Sequence, residues 1–149
     1  MALSFNKINL FTDTLVKKEH NLNSDTIKVA LFTAATAVAA TDPAYAATLA
    51  GGAAEVGSGN GYTTGGNSGG AGIASNSTGT ETVRTTSAIP QWVASASGFA
   101  FRYLYAYNDT STGDKGLGFW DYGSTVTLSG ANADTFNANG LNTSIFTLA

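Results

Sequence analysis

The sequence predicts a mainly β protein: an antiparallel β-sandwich or jelly-roll-like domain with a short N-terminal helix and a long glycine-rich loop. Three observations lead there. Residues 99–107 read FAFRYLYAY, so Phe99, Phe101, Tyr103, Tyr105 and Tyr107 put a ring at every second position, and a strand turns alternate side chains to one face. Downstream of residue 80, short β-forming runs recur between turn signals roughly every eight to twelve residues, the spacing of antiparallel sandwiches. Most of the 18 glycines fall within residues 51–79, a stretch with neither helical nor strand periodicity, which reads as an excursion from the sheet.

Taken in order, Phe5, Ile8, Phe11 and Leu15 recur every three or four residues, and Lys17 and Lys18 follow where a helix C-terminus favours cations. A helix over residues 6–18 is expected, although Thr12, Thr14 and Val16 keep a strand possible. After the polar turn HNLNSD comes TIKVALF, a strand with Ile27, Val29 and Leu31 on one side and Lys28, Ala30 and Phe32 on the other. The Ala/Thr run 33–41 reads as loop or helix, and Pro43 opens a segment in which Tyr45 and Leu49 could share a helical face. Residues 51–79 read as a loop or arm within a single domain spanning 1–149, anchored by Val56, Tyr62 and Ile73; as an arm they would order against a neighbouring subunit. ETVRTTSAI, QWVASA, TFNAN and SIFTLA are further short strands, with a turn at SGANAD.

The ring-bearing strand pairs with GLGFWDYGSTVTL around the polar connection 108–115. In the expected register Tyr105 lies near Phe119 and Leu104 near Trp120, a cross-strand arrangement that favours aromatics. Phe99, Phe101, Tyr103, Tyr105, Tyr107, Phe119, Trp120 and Tyr122 are therefore the expected core. A strand apolar on both faces must be covered on both, by its own chain or by a second subunit. Arg102 and Asp121 are the polar residues most exposed to burial by this hairpin, with Arg102 expected to stack on Tyr122.

Composition bounds the chemistry. At 149 residues and 43% hydrophobic content the chain can bury a core of ordinary size. The absence of cysteine removes disulfides, thiolate metal sites and a cysteine nucleophile. Charged residues are 11% of the chain, against about a quarter in an average domain, so the surface is built of hydroxyls and amides. The net charge is −3, with lysine and arginine scattered singly, which argues against a nucleic-acid partner. The longest apolar run, residues 29–40, is too short to span a bilayer, and MALSFNKINLF lacks the pattern of a secretory signal. A soluble protein, made in the cytoplasm of its host cell and with no membrane partner, is expected.

The motifs that could carry catalysis are weak. His20 is the single histidine and stands in a polar turn beside two lysines, where a surface or capping role is expected. NDTSTGDKG has two aspartates but neither the acidic third position nor the terminal glutamate of a calcium loop. GSGNGYTTGG lacks the spacing and the lysine of a phosphate-binding loop. Sequons begin at Asn76, Asn108 and Asn142. No catalytic, cofactor-binding or metal-binding residue is assigned, and no enzyme activity or cofactor is expected.

The order of segments carries more than any one of them. A short N-terminal helix, HNLNSDTIKVALF, EVGSGNGYTTGG, FRYLYAYND, LGFWDYGSTVTL and a closing IFTLA together resemble a family of small virion proteins of tailed bacteriophages, over most of the chain. The resemblance implies a non-enzymatic structural protein of the phage particle, of the head decoration or cement type. Such a protein sits on the outer surface of the capsid and bridges subunits of the major capsid protein. It also implies a homo-oligomer, trimer favoured over dimer. This chain departs from the family in the length of its Ala/Thr run and of its glycine-rich tract. A tail or neck component and a virion-surface carbohydrate-binding module, using Trp92 or Trp120, are the alternatives.

Overall fold

A computed structural model describes residues 5–34, 54–138 and 145–148. The mainly β, antiparallel class holds. The elements are β1 (Phe5–Lys7), α1 (Phe11–Val16), β2 (Thr26–Phe32), β3 (Asn67–Ser77), β4 (Thr80–Thr85), β5 (Trp92–Val93), β6 (Phe99–Asn108), β7 (Gly116–Leu128), a 3-10 turn at Gly130–Asn132, β8 (Thr135–Phe136) and β9 (Phe146–Leu148). One seven-stranded sheet runs in the order β1-β7-β6-β2-β3-β4-β9, and β5 pairs with β8 beside it. The sheet curls until it is nearly closed, and its two end strands meet where Phe5 stacks on Phe146 at 5.1 Å.

The central hairpin matches its sequence reading. β6 and β7 pair with Leu104 opposite Trp120 and Tyr105 opposite Phe119. A row of cross-strand partners then crosses four strands: Leu31 faces Leu104, Leu104 faces Trp120, and Trp120 faces Phe5. Because Phe5 stacks on Phe146 and Phe11 meets Phe146 edge-on at 5.3 Å, this row closes the curl and seats α1 against it. On the opposite face Tyr103 and Tyr105 stand beside Phe32 and Ala30. The chain covers both faces itself, leaving Leu104, Tyr105, Ala106 and Tyr107 at 2% exposure or less.

Tyr122 departs from expectation. Between the pairs Phe101–Val126 and Tyr103–Asp121, residues 122–125 of β7 stand opposite Arg102 alone. The extra residues form a bulge at Gly123, whose φ is +84°, and bulges re-aim side chains. Tyr122 is thereby left 41% exposed, its ring edge-on to Phe101 and Phe136, while the neighbouring Trp120 is buried.

The N-terminal helix is shorter than the periodicity suggests. Phe5, Asn6 and Lys7 are drawn into β1 by pairing with Trp120, Phe119 and Gly118, leaving α1 six residues. Tertiary pairing overrides a local pattern that was weak to begin with. The run 35–53, with the helical turn expected at Tyr45 and Leu49, lies outside the described residues.

The glycine-rich stretch is the larger correction, because its second half is β3, paired with β2 on one side and β4 on the other. Its first half is clamped rather than free. Val56 N–H donates to the Leu31 carbonyl and Thr33 N–H to the Ala54 carbonyl, which lays residues 54–56 along β2. Tyr62 crosses back so that its hydroxyl donates to Glu55 Oε1 at 2.8 Å and accepts from Leu31 N–H at 3.1 Å. Tyr107 donates its hydroxyl to the Gly65 carbonyl at 2.7 Å. Gly66, with φ +68°, passes so close to β2 that a Cβ would overlap the Val29 carbonyl oxygen. Burial holds the Tyr62 phenol protonated far above its ordinary range.

Candidate functional site

The most organised polar cluster joins the connection between α1 and β2 to the turn between β6 and β7. At the end of α1, Lys18 adopts φ +62°, and the chain doubles back so that Glu19 N–H donates to the Thr14 carbonyl. This reversal buries His20 against Phe11, ring centroids 5.3 Å apart, with 7% of the residue exposed. The surface or capping role expected of His20 is therefore corrected. The polar sequence around it hid the burial, since its partners lie six and 88 residues away.

The hydrogen bonds fix the roles in this cluster. The Thr14 hydroxyl lies 3.0 Å from both the Leu10 and Phe11 carbonyls, so its single proton is used there. At 2.9 Å from His20 Nε2 it accepts when the imidazole carries its proton there, the tautomer that the Asn108 amide on the other side of the ring requires. His20 Nδ1 is bare and accepts from Asn108 Nδ2 at 3.2 Å. The other proton of that amide goes to Asp25 Oδ2 at 2.6 Å. Asn108 Oδ1 accepts from Thr110 N–H at 2.9 Å and Ser111 N–H at 3.1 Å, pinning the turn that follows β6. Burial, the leading influence, lowers the His20 pKa; Asp25 and Glu19 oppose that and Lys115 adds to it. Outside this network lies an open cleft of about 420 Å³ lined by Lys18, Glu19, Asn21, Asp25, Thr110, Ser111 and Thr112.

A hydroxyl, an imidazole and a carboxamide in line have the residue types of a nucleophile, a base and its orienter. Their direction is reversed here: Thr14 accepts from the imidazole, and its own proton is committed to the helix backbone. The cluster ties elements together.

The other residues singled out by sequence fall elsewhere. Arg102 and Asp121 are brought together as a two-point ion pair, Nε to Oδ1 at 2.8 Å and Nη2 to Oδ2 at 2.9 Å. Their side chains are 37% and 35% exposed, so neither has the burial expected of it. Arg102 lies over the Tyr103 ring, 5.1 Å from its centroid, rather than on Tyr122 as expected. The Arg102 hydrogen bond, and then Gly123 N–H, lowers the Asp121 pKa. In NDTSTGDKG, Asp109 pairs with Lys28 at 2.9 Å, while burial and Asp109 raise the Asp114 pKa. Among the described residues no three potential ligands gather to hold a metal ion. Asn108 is fully buried, which closes its sequon to a glycan; the side chains of Asn76 and Asn142 lie outside those described. Trp92 and Trp120, on which the carbohydrate-binding alternative rests, are both buried.

Sequence reasoning missed Glu55, Asn108 and the burial of His20. Two signals were present: Glu55 is the single acidic residue of the glycine tract, and Asn108 ends a strand immediately before Asp-Thr-Ser, a setting in which an asparagine side chain caps its own turn.

Comparison with known proteins adds no relative: no family model, curated protein or solved structure matches this chain. Among the described residues no helix is long and apolar enough to cross a membrane.

Proposed function

We propose that this chain is a non-enzymatic structural protein of a tailed-phage particle, a decoration protein that binds the outer capsid and strengthens the head by bridging subunits of the major capsid protein. The observation that carries the reading is the ordered set of segments that resembles small phage virion proteins. Those segments build the scaffold: TIKVALF is β2, EVGSGNGYTTGG is the clamp across it, FRYLYAYN lies within β6, and LGFWDYGSTVTL lies within β7. The physics of the role agrees. A head under internal pressure gains from many modest contacts multiplied by symmetry, and a surface poor in charge forms contacts that salt screens little. Among the described residues the large apolar side chains left exposed are Leu10, Val16, Val93 and Tyr122, available to a capsid or to a sister copy.

The test is to add purified protein to particles lacking it and to image them by electron cryo-microscopy, with light scattering for the oligomer. Regular added density on the outer head, from a trimer or dimer in solution, is expected. Density confined to the neck or tail, or no binding to particles, would overturn the assignment.

A further inference from the structure

We propose that His20 is a proton-operated latch, which in its neutral form ties the connection between α1 and β2 to the turn between β6 and β7, and which releases that turn when it takes up a proton. The latch goes beyond the proposed function and does not depend on it.

The network around Asn108 is fully committed. Every hydrogen-bonding position of the Asn108 carboxamide is used, two on Oδ1 by the turn amides and two on Nδ2 by His20 and Asp25. Asp25 Oδ2 also accepts from Asn21 N–H at 2.7 Å, so the same amide links the connection on one side to the turn on the other. Only an imidazole bare at Nδ1 completes this pattern. A proton on Nδ1 would set a donor against the donor Asn108 Nδ2, 3.2 Å away. Rotating the amide to offer Oδ1 instead would abandon Thr110 and Ser111 and leave their N–H groups facing an NH2. Drawing the imidazolium toward Asp25 would displace Asn108 from that carboxylate. By either route Asn108 gives up one of the two segments it joins. A buried donor or acceptor left without its partner is costly.

The charged groups around the imidazole come from the connection and from the end of the β6–β7 turn. Glu19 and Asp25 of the connection favour the charged form, and Lys115, just before β7, disfavours it; Lys115 and Glu19 also pair at 3.5 Å. The charges of α1, Asp13 and Lys17, pair with each other at 2.6 Å on its exposed side, and α1 meets His20 through Thr14 and Phe11. Burial prevails, so the closed state binds the proton more weakly than the open one. Closure is then complete above the ordinary histidine value of 6.5 and weakens as pH falls through the window below it, by at most about tenfold per pH unit.

The experiment follows the full-length protein by NMR between pH 8 and pH 4.5. The His20 ring carbon shifts report protonation, and the exchange of the Thr110 and Ser111 amides, corrected for the chemical rate, reports the turn. The two amides are expected to lose protection as pH falls below 6.5, approaching about tenfold per pH unit, and to level off once the imidazole has taken up its proton, while the amides of β2 and β6 stay protected. His20→Gln, which can donate to Thr14 and accept from Asn108 without taking a proton, should hold the turn closed across the range. If the imidazole titrates while Thr110 and Ser111 keep their protection, or if their loss follows a carboxylate midpoint instead, the latch is refuted. The wild-type measurement decides even if the variant fails to fold.

Discussion

In the β6–β7 hairpin the side chains make the contacts and the backbone spaces them, whereas in residues 54–66 the backbone itself lies against its neighbours and a few polar side chains hold it there. The hairpin lies within the sheet that the glycine-rich segment crosses. The hairpin fills its faces with Phe101, Tyr105, Tyr107 and Trp120, all at 4% exposure or less. The glycine-rich segment brings Gly66 onto the Val29 carbonyl and fastens itself through Glu55, Tyr62 and Tyr107. A packed ring tolerates substitution in proportion to the volume lost, but a backbone in contact tolerates no added atom. The difference predicts which region breaks first.

The largest effect is therefore expected from the smallest change. Gly66→Ala adds one carbon where the Val29 carbonyl oxygen already stands, at φ +68°. Neither partner is the end of a flexible side chain, so the clamp must leave β2. A loss of more than about 4 kcal/mol, or no cooperative transition at all in urea, is expected. In the hairpin, Phe101→Ala should cost about 3–5 kcal/mol, since the ring is fully buried and packs edge-on against Phe136 at 4.6 Å. If deleting a whole ring destabilises more than adding that one methyl, as read from chemical unfolding of both variants, the contrast fails.

A finer cut separates the polar fastening from the close approach. Tyr62→Phe keeps the ring beside Phe99, 5.9 Å away, but removes the hydroxyl that accepts from Leu31 N–H and donates to Glu55. About 1–3 kcal/mol should be lost, because a buried amide is left without its partner. Protection of the Leu31 amide in hydrogen exchange checks the same point locally. A variant as stable as the wild type would mean that the glycine contact alone holds the segment.

The same contrast explains what could be read from the sequence. Ring alternation and β-branched runs announce the hairpin, its register at Leu104–Trp120 and Tyr105–Phe119, and β2, because side-chain periodicity is written one residue at a time. β3 is composed of Gly, Ala, Ser and Asn with Ile73 as its one large apolar residue, so it carries no such period; it is a strand because β2 and β4 flank it. Glu55 and His20 look like surface residues for a related reason. Their burial is set by partners distant in the chain, the backbone amide of Gly65 for one and Asn108 for the other, and local composition is blind to both.

The bulge at Gly123 lies between the two regimes and gives the smallest expected effect. Like Gly66 it has a positive φ, +84°, yet no atom lies within 4 Å of where its Cβ would be. Gly123→Ala should cost only the backbone preference of an L-residue for other conformations, about 1–2 kcal/mol. Gly123 N–H donates to Asp121 Oδ1 at 2.8 Å, and the same oxygen receives Arg102 Nε at 2.8 Å, so a shifted bulge would disturb the ion pair as well. Retention of the Arg102–Asp121 pair and of Tyr122 edge-on to Phe101, seen in the crystal structure of the variant, would show that the bulge is fixed by the count of residues between Asp121 and Val126. A β7 straightened so that Tyr122 leaves Phe101 and Phe136 would show instead that glycine sets it, and the cost would then rise toward that of Gly66.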